Sequence, residues 1–277
     1  MKAADIFDVR GRTVIVTGGA HGIGMAYAEA LADNGARVTI MDLDAAGLQA
    51  TVDRLNANGG DVRGVVVDVS DRPAVHKAFD ETTAFYGKLD VAFLNAGINS
   101  GAGFITRGGT GAPRERPVER ALENYDDAQW DRIMSMAVTS VFTGLKAAAR
   151  NMKPQGYGRI IVTTSVASSR IIAHCGQAYM VAKAAAAHLV RTAALELCEY
   201  GIHVNAIAPG GFATNSGNGY FRDPKNKALS AKLVPLHRMG EIEEMQGVAL
   251  LLASGASSFM VGSELLVDGG TVLGALD

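Results

Sequence analysis

Tyr179 and Lys183 are the residues of this chain whose types and spacing best suit proton transfer. They lie in an alanine-rich run that contains neither Gly nor Pro, which favours a helix. Side chains four positions apart on a helix share one face and reach each other. An ammonium group beside a phenol favours the phenolate, and so lowers a pKa that is about 10 in water. The spacing predicts that Tyr179 gives and takes a proton near neutral pH. The alternative is a solvated helix face, where the same Tyr-x-x-x-Lys spacing also occurs.

A glycine-rich segment, residues 17–24, follows the first apolar run and precedes a helical pattern. It reads Thr-Gly-Gly-Ala-His-Gly-Ile-Gly. Glycines between a strand and a helix let the backbone turn tightly and approach a pyrophosphate, which then sits at the helix N-terminus. A plain strand-to-helix turn is the alternative, but three spaced glycines favour nucleotide binding.

An acidic residue, Asp42, ends the second apolar run at the distance expected for contact with a ribose. A carboxylate there accepts hydrogen bonds from the ribose hydroxyls and repels a 2′-phosphate. The glycine segment contains no Arg or Lys, and His21 stands where a basic residue would be placed. Both observations favour NAD over NADP, whereas a solvated aspartate after a strand is the alternative.

Short apolar runs alternate with longer helical patterns along the whole chain. The predicted strands are Thr13–Thr17, Arg37–Met41, Val62–Val67, Val91–Leu94, Arg159–Thr164, Ile202–Ile207 and Glu264–Asp268. The predicted helices are Gly24–Asn34, Asp44–Asn56, Asp71–Tyr86, Asp126–Met152, Tyr179–Glu199 and Glu241–Ala253. Strands that are apolar on both faces belong to a parallel sheet covered by helices. The pattern predicts an α/β fold of the Rossmann type, a doubly wound parallel sheet with helices on both faces, as one domain over residues 1–277.

Composition excludes several classes of protein. The net charge is −2 and no basic block occurs, so we expect neither nucleic acid nor an anionic membrane as a partner. No apolar run approaches membrane-spanning length, and the two cysteines, Cys175 and Cys198, predict a reducing, cytoplasmic location. The histidines are scattered, so we expect no metal site.

Several short motifs occur together in one order, and with them the chain resembles the short-chain dehydrogenase/reductase family, in its single-domain branch. The motifs are Thr17-Gly…Gly22-Ile-Gly24, Asp42, Asp68-Val69, Asn95-Ala-Gly97, Ser165, Tyr179…Lys183, Pro209-Gly210 and Val267-Asp-Gly-Gly270. They span nearly the whole chain. Each motif is weak alone, but the ordered set is specific.

The resemblance implies a role for each matching residue. Ser165, Tyr179 and Lys183 would be catalytic, with Ser165 bonding the substrate oxygen. The residues implied to bind the cofactor are Gly18, His21, Gly22, Ile23, Gly24, Asp42, Asp68, Val69, Asn95, Ala96, Gly97, Tyr179, Lys183, Pro209, Gly210, Phe212 and Thr214. Ser165 stands one position further from the tyrosine than is commonest in the family. A strand-end serine that bonds its own backbone is the alternative for it, and Ser168 and Ser169 compete from further along the loop.

The chain departs from the family pattern in two places. The family's helical Asn, which anchors a proton-relaying water chain, aligns with Ala137. Ser135, Thr139 and Ser140 are candidate replacements, although at helical spacing they face other directions. The alternatives are a relay through water held by backbone groups, or slower proton exchange. The second departure is a long connection over about residues 98–122. It is either a substrate lid, with Arg107, Arg114, Arg116 or Arg120 meeting an anion, or a solvated loop or subunit contact. A second segment, about residues 211–235, would fold over substrate, with Phe212, Tyr220, Phe221, His174 and Met180 as candidate lining residues.

The sequence thus predicts an NAD-dependent oxidoreductase that interconverts a secondary alcohol and a ketone on a small cyclic, sugar-like or aromatic molecule. One alternative is a dinucleotide-binding sensor or scaffold with weak or lost activity, which Ala137 would favour. Another is an NADPH-linked carbonyl reductase, which Asp42 opposes. By resemblance, the alanine-rich helices Asp126–Met152 and Tyr179–Glu199 are subunit faces, so we expect a homotetramer or at least a homodimer.

Overall fold

A seven-stranded parallel sheet forms the centre of the molecule, with strand order β3-β2-β1-β4-β5-β6-β7. The computed structural model describes residues 2–98, 101–106, 115–214 and 223–274. The strands are β1 Thr13–Thr17, β2 Arg37–Asp42, β3 Asp61–Val66, β4 Val91–Leu94, β5 Gly158–Thr163, β6 Ile202–Pro209 and β7 Glu264–Val267. Strand order reverses direction between β1 and β4, and this reversal places the ligand crevice of an open α/β sheet at their carboxyl ends.

Helices cover both faces of the sheet, as the alternating pattern predicts. They are α1 Ala3–Ile6, α2 Gly22–Asp33, α3 Ala45–Ala57, α4 Arg72–Tyr86, α5 Asp127–Met134, α6 Ser140–Met152, α7 Gln177–Leu197, α8 Pro224–Ala231 and α9 Gln246–Ala253. Asp44 and Asp71 cap α3 and α4 by accepting a hydrogen bond from a backbone N–H of the first turn. Gly87, in the left-handed region, ends α4.

Two hydrophobic cores lie on the two faces of the sheet. One is built from α2, α3 and α9 against the sheet and contains fully buried Tyr27 and Phe93, whose ring centroids are 4.9 Å apart. The other is built from α4, α6 and α7 and contains Phe79 and Leu145. The predicted doubly wound α/β sheet is therefore confirmed.

Three predicted details are wrong. The strands are not all buried on both faces, because β3 and β7 are edge strands; Val66 and Leu266 are about half exposed. The long helix predicted over residues 126–152 is divided by a π turn, Ser135–Thr139. The last predicted helix begins as a 3₁₀ turn, Ile242–Met245.

Gly144 of α6 lies against the side chain of Leu94 at the end of β4. A Cβ at this position would lie 2.6 Å from Leu94 Cδ2, well inside van der Waals contact. Gly247 of α9 offers a matched helical site, because a Cβ there would meet no atom within 4 Å. Packing rather than backbone conformation therefore requires glycine at position 144.

Gly144→Ala is expected to lower the free energy of unfolding by about 1 kcal/mol, since overpacking outweighs the gain in helix propensity. Gly247→Ala is expected to raise it by up to about 1 kcal/mol, because only the propensity changes. Urea unfolding followed by circular dichroism measures both. Equal effects of the two substitutions would contradict the tight contact with Leu94.

Candidate active site

The glycine segment between β1 and α2 packs directly on the end of β4. Gly18 has a φ of +67°, and a Cβ there would lie 2.7 Å from the Cα of Ala96. A Cβ on Gly24 would lie 2.1 Å from the carbonyl oxygen of Gly18 and 2.5 Å from Nδ2 of Asn95. No side chain fits at either glycine without moving the backbone, so these glycines fix the shape of the loop.

Side-chain hydrogen bonds hold this loop in place. The hydroxyl of Thr17 accepts from the backbone N–H groups of Asn95 and Ala96, at 3.0 and 3.1 Å. The amide Nδ2 of Asn95 donates in return to the carbonyl of Gly18, at 3.0 Å. Thr17 was not among the predicted site residues; its place as the last residue of β1, before the first glycine, was the signal.

The N-terminus of α2 is suited to an anion. His21 is its N-cap residue, but the His21 side chain accepts no hydrogen bond from the N–H groups of the first helical turn. These groups and the helix dipole favour a phosphate. The loop therefore fits the pyrophosphate of a dinucleotide, with Gly22 and Ile23 beginning the helix.

The remaining predicted cofactor residues surround this loop. Asp42 accepts from the backbone N–H of Ala20 at 3.0 Å, which ties the end of β2 to the glycine segment. Asp68 accepts from both the backbone N–H and the hydroxyl of Ser70, and these bonds lower the pKa of its carboxyl. Val69, beside it, is buried in the core.

The segment after β6 returns to the same place. Pro209 ends the strand, and Gly210 lies so close to Asp268 that a Cβ there would be 2.7 Å from the Asp268 Cα. Thr214 reaches the glycine segment, because a Cβ on Gly22 would lie 3.6 Å from its side chain. Phe212 is placed differently: its side chain packs in the core and against Gly240, so its part in cofactor binding stays a prediction.

Ser165 follows β5 and begins a 3₁₀ turn, Val166–Ser168. Its Oγ accepts from the backbone N–H of Ala167 at 3.2 Å, as expected for a strand-end serine that bonds its own backbone. The same hydroxyl also acts on the phenol of Tyr179, whose pKa it lowers against the effect of burial. The two interpretations of Ser165 are therefore compatible, and the structure brings Ser165 and Tyr179 together.

Lys183 is buried on the inner face of α7, and its Nζ donates to the carbonyl of Thr163 at 2.8 Å. Its Nζ lies 5.7 Å from the centroid of the Tyr179 ring. A Cβ on Gly97 would lie 4.0 Å from the same Nζ, so the lysine also reaches the predicted cofactor floor at Asn95–Gly97.

The expected lowering of the Tyr179 pKa is wrong for this arrangement of side chains. Burial raises the pKa of the Tyr179 phenol to about 12, and the hydrogen bond from Ser165 opposes that rise only in part. Burial also lowers the pKa of Lys183 to about 8. Desolvation penalises the charged form of each group and is the largest cause of both shifts. The phenol is therefore protonated at neutral pH, while the Lys183 ammonium loses its proton around pH 8.

Ala137 lies in the π turn and is buried in an apolar cluster with Ile133, Ala178 and Ala182, against which Tyr179 packs. One suggested replacement for the missing amide, Ser140, is engaged elsewhere, since its hydroxyl donates to the carbonyl of Met136 at 2.6 Å. The position of the family's asparagine is thus filled by packing around the tyrosine.

The root of the long connection lies against the segment that precedes α7. Ala102 pairs in antiparallel fashion with Cys175, and Gly103 N–H donates to the carbonyl of His174 at 3.2 Å. A Cβ on Gly103 would lie 2.2 Å from the Ala173 carbonyl oxygen, so these two segments of the backbone are in close contact.

The candidate substrate residues divide between exposed, buried and undescribed positions. Arg116 is exposed and Arg120 is half-buried. Met180 is buried, and its sulfur accepts from Ile172 N–H at 3.2 Å. The other residues proposed for substrate contact, Arg107, Arg114, Tyr220 and Phe221, lie outside the described residues.

Glu264 is a further residue that sequence reasoning missed. Its Oε1 accepts from the hydroxyls of Thr164, at 2.6 Å, and Ser168, at 2.9 Å. These residues flank Ser165, so the carboxylate of β7 reaches across β6 to brace the loop that carries it. No local motif marks such a contact between residues about 100 positions apart.

Other kinds of site are not found in the part of the chain that the structure describes. No group of three His, Cys, Asp or Glu side chains could hold a metal ion there. Among the same residues, no helix has the length and apolar character needed to span a membrane.

Comparison with known proteins agrees with this geometry. Residues 18–272 match the sequence model of a family described as enoyl-(acyl carrier protein) reductase. Gluconate 5-dehydrogenase of Gluconobacter oxydans (strain 621H) is 34% identical over 271 residues, which cover 98% of each chain. Cis-4-hydroxycyclohexanecarboxylate dehydrogenase of Sinomonas cyclohexanicum is 36% identical over 263 residues, 94% of this chain and 96% of the relative.

A solved structure is equally similar. Gluconate 5-dehydrogenase from Burkholderia cenocepacia J2315, in complex with NADP and tartrate, superposes with a TM-score of 0.85. It is 31% identical in sequence, and the match covers 99% of this chain and 100% of that one. The likeness therefore extends over the whole fold and includes the carboxyl edge of the sheet.

Lys183 gives the stability of the protein a defined dependence on pH. Its pKa falls on folding from 10.5 to about 8, so the unfolded chain holds more protons between these values. Stability is expected to rise with pH across this window, by an amount of order 3 kcal/mol. Tyr179 acts in the opposite sense above pH 10, because its pKa is raised on folding to about 12.

Lys183→Met is expected to remove the rise between pH 8 and 10, as measured by urea unfolding at several pH values. Lys77→Met provides the control, because that lysine is exposed on α4. A wild-type profile that is flat over this range would show that burial does not weaken the charged form of Lys183.

Proposed function

The chain belongs to the short-chain dehydrogenase/reductase family, and on that basis we propose that it is an NAD-dependent oxidoreductase which interconverts a secondary alcohol and a ketone. The observation that carries this proposal is the meeting of Ser165, Tyr179 and Lys183 beside the glycine segment at the carboxyl edge of the sheet. When bound, the nicotinamide accepts or supplies the hydride.

The residues of the chain control the proton. In ketone reduction, the Tyr179 phenol, which is protonated at neutral pH, donates its proton to the carbonyl oxygen as the carbon gains the hydride. The Ser165 hydroxyl bonds the same oxygen and stabilises the charge that develops on it. In alcohol oxidation each transfer runs in reverse, and Lys183 stabilises the phenolate that starts the reaction.

Asp42 supports NAD rather than NADP as the cofactor. Its carboxylate stands beside the glycine segment, where it would repel a 2′-phosphate. A specific observation favours the NADP-linked alternative, since the related structure from Burkholderia cenocepacia is a complex with NADP. A dinucleotide-binding scaffold without redox activity is the weaker alternative. Ala137 favours it, but the presence of Ser165, Tyr179 and Lys183 together argues against it.

For the substrate, we propose a small hydroxylated cyclic or sugar-like molecule. Gluconate and cis-4-hydroxycyclohexanecarboxylate, named for two relatives, carry both a secondary hydroxyl and a carboxylate. Arg116 and Arg120 lie in the long connection and could meet such a carboxylate. This assignment makes both acids first choices as test substrates.

We also propose a cytoplasmic homo-oligomer, a tetramer or at least a dimer. Large apolar side chains are exposed on the alanine-rich helices, with Phe142 of α6 49% exposed and Leu195 of α7 78% exposed. Neither Cys175 nor Cys198 forms a disulfide, which suits a reducing compartment.

Tyr179→Phe is expected to lower turnover by about 100- to 10,000-fold, because the proton donor is removed while the ring remains. Binding of NAD, followed by calorimetry, should change by less than about threefold since the cofactor contacts stay. Tyr200→Phe, at an exposed position, is the control. Near-normal turnover of Tyr179→Phe would remove the tyrosine from the mechanism.

A screen of secondary alcohols with NAD and NADP, following absorbance of the reduced cofactor, tests the function itself. We expect turnover with NAD, and a kcat/KM at least about tenfold higher than with NADP, a difference of about 1.4 kcal/mol. Turnover with NAD on any alcohol rejects the scaffold. Preference for NADP would reject the role given to Asp42.

A further inference from the structure

The side chain of His21 is tied to the first turn of α3. Its Nε2 lies 2.7 Å from Oδ2 of Asp44, and each side chain is about half exposed. The other oxygen of Asp44 accepts from the backbone N–H of Gly47 at 3.1 Å and caps the helix. One carboxylate thus joins the glycine segment to α3.

This contact closes a ring of hydrogen bonds. Asp42 accepts from Ala20 N–H with one oxygen and from Asp44 N–H with the other, each at 3.0 Å. Ala20 and His21 are neighbours in the chain, so the bond from His21 to Asp44 completes the ring. The ring connects the glycine segment, the end of β2 and the start of α3.

Gly47 makes room for the imidazole. A Cβ at this position would lie 2.3 Å from Nε2 of His21 and 2.5 Å from Oδ2 of Asp44. Its φ is not in the left-handed region, so the backbone does not require glycine there. The requirement is for space, and the three atoms nearest to such a Cβ all belong to the His21–Asp44 pair.

The ring has a consequence for charge. His21 is the sole basic residue in residues 17–24 and 42–47, which hold two aspartates. Because the imidazole is bonded to Asp44, it is not available to pair with the 2′-phosphate of NADP. That phosphate would instead lie near the carboxylates of Asp42 and Asp44. Removing the bond would leave an imidazole able to turn toward that phosphate.

We propose that Asp44 is a specificity-determining residue for the cofactor, which acts by holding His21 on α3 so that the imidazole cannot pair with a 2′-phosphate. This inference rests on the proposed preference for NAD. It assigns part of that preference to Asp44, in addition to Asp42. Gly47 is the positioning residue that allows the contact.

Two variants separate the held imidazole from the charge of the carboxylate. Asp44→Asn removes the charge and weakens the hold, whereas Gly47→Ala keeps both carboxylates and displaces the ring. Dissociation constants for NAD and NADP are measured by calorimetry. In both variants the ratio of the NADP constant to the NAD constant is expected to fall about fivefold, the effect of one exposed charge pair. Gly247→Ala, which adds a methyl group in open space on α9, is expected to leave the ratio unchanged.

The double variant Asp44→Asn with His21→Ala should lose the gain in NADP affinity. A gain that persists in it would overturn the role of His21, and an unchanged ratio in Gly47→Ala with a wild-type melting temperature would do the same. A wild-type protein that prefers NADP refutes the proposed cofactor preference. The inference itself depends on the change in the ratio from wild type to each variant.

Discussion

The bond network at Thr17 and Asn95 is the constraint on which the rest of the site depends. It joins the end of β1 to the end of β4, the two strands between which the order of the sheet reverses. A crevice at such a reversal is inevitable in this topology, but its shape is not. The Thr17 hydroxyl and the Asn95 amide set that shape. Their hydrogen bonds fix the backbone of the glycine segment against the end of β4. Three spaced glycines alone would give a mobile turn rather than a defined binding surface.

Burial, rather than the distance between charges, decides the protonation of the catalytic pair. The phenol of Tyr179 and the ammonium of Lys183 lie close to each other, yet each pKa moves toward the neutral form. The carbonyl of Thr163 compensates the lysine only in part, because one neutral acceptor replaces a full hydration shell. At neutral pH a neutral phenol therefore lies beside an ammonium group that loses its proton more readily than a lysine in water.

Much of this could be read from the sequence because it is encoded locally. The periodicity of apolar residues gave the strands and most helix limits, and the glycine segment with Asp42 gave the nucleotide edge. Contacts between distant residues could not be foreseen: Glu264 braces the Ser165 loop across a whole strand, and Phe212 turns into the core. The pKa shift of Tyr179 was predicted in the wrong direction, because spacing on a helix reveals proximity but not desolvation. The connection after β4 was noted for its length, while its pairing with the segment before α7 depends on backbone geometry.

The π turn between α5 and α6 lets the two parts of one long helix pack against different groups of residues. One extra residue in the turn shifts the phase of the side chains that follow. Ile133, near the end of α5, packs in the small cluster around Tyr179, whereas Leu145, further along α6, packs in the core that α4, α6 and α7 form against the sheet. The residues packed around Tyr179 therefore form a small cluster of their own, separate from the two cores on the faces of the sheet. Substitutions in this cluster are thus expected to act first on the packing of Tyr179 and less on the two cores of the sheet.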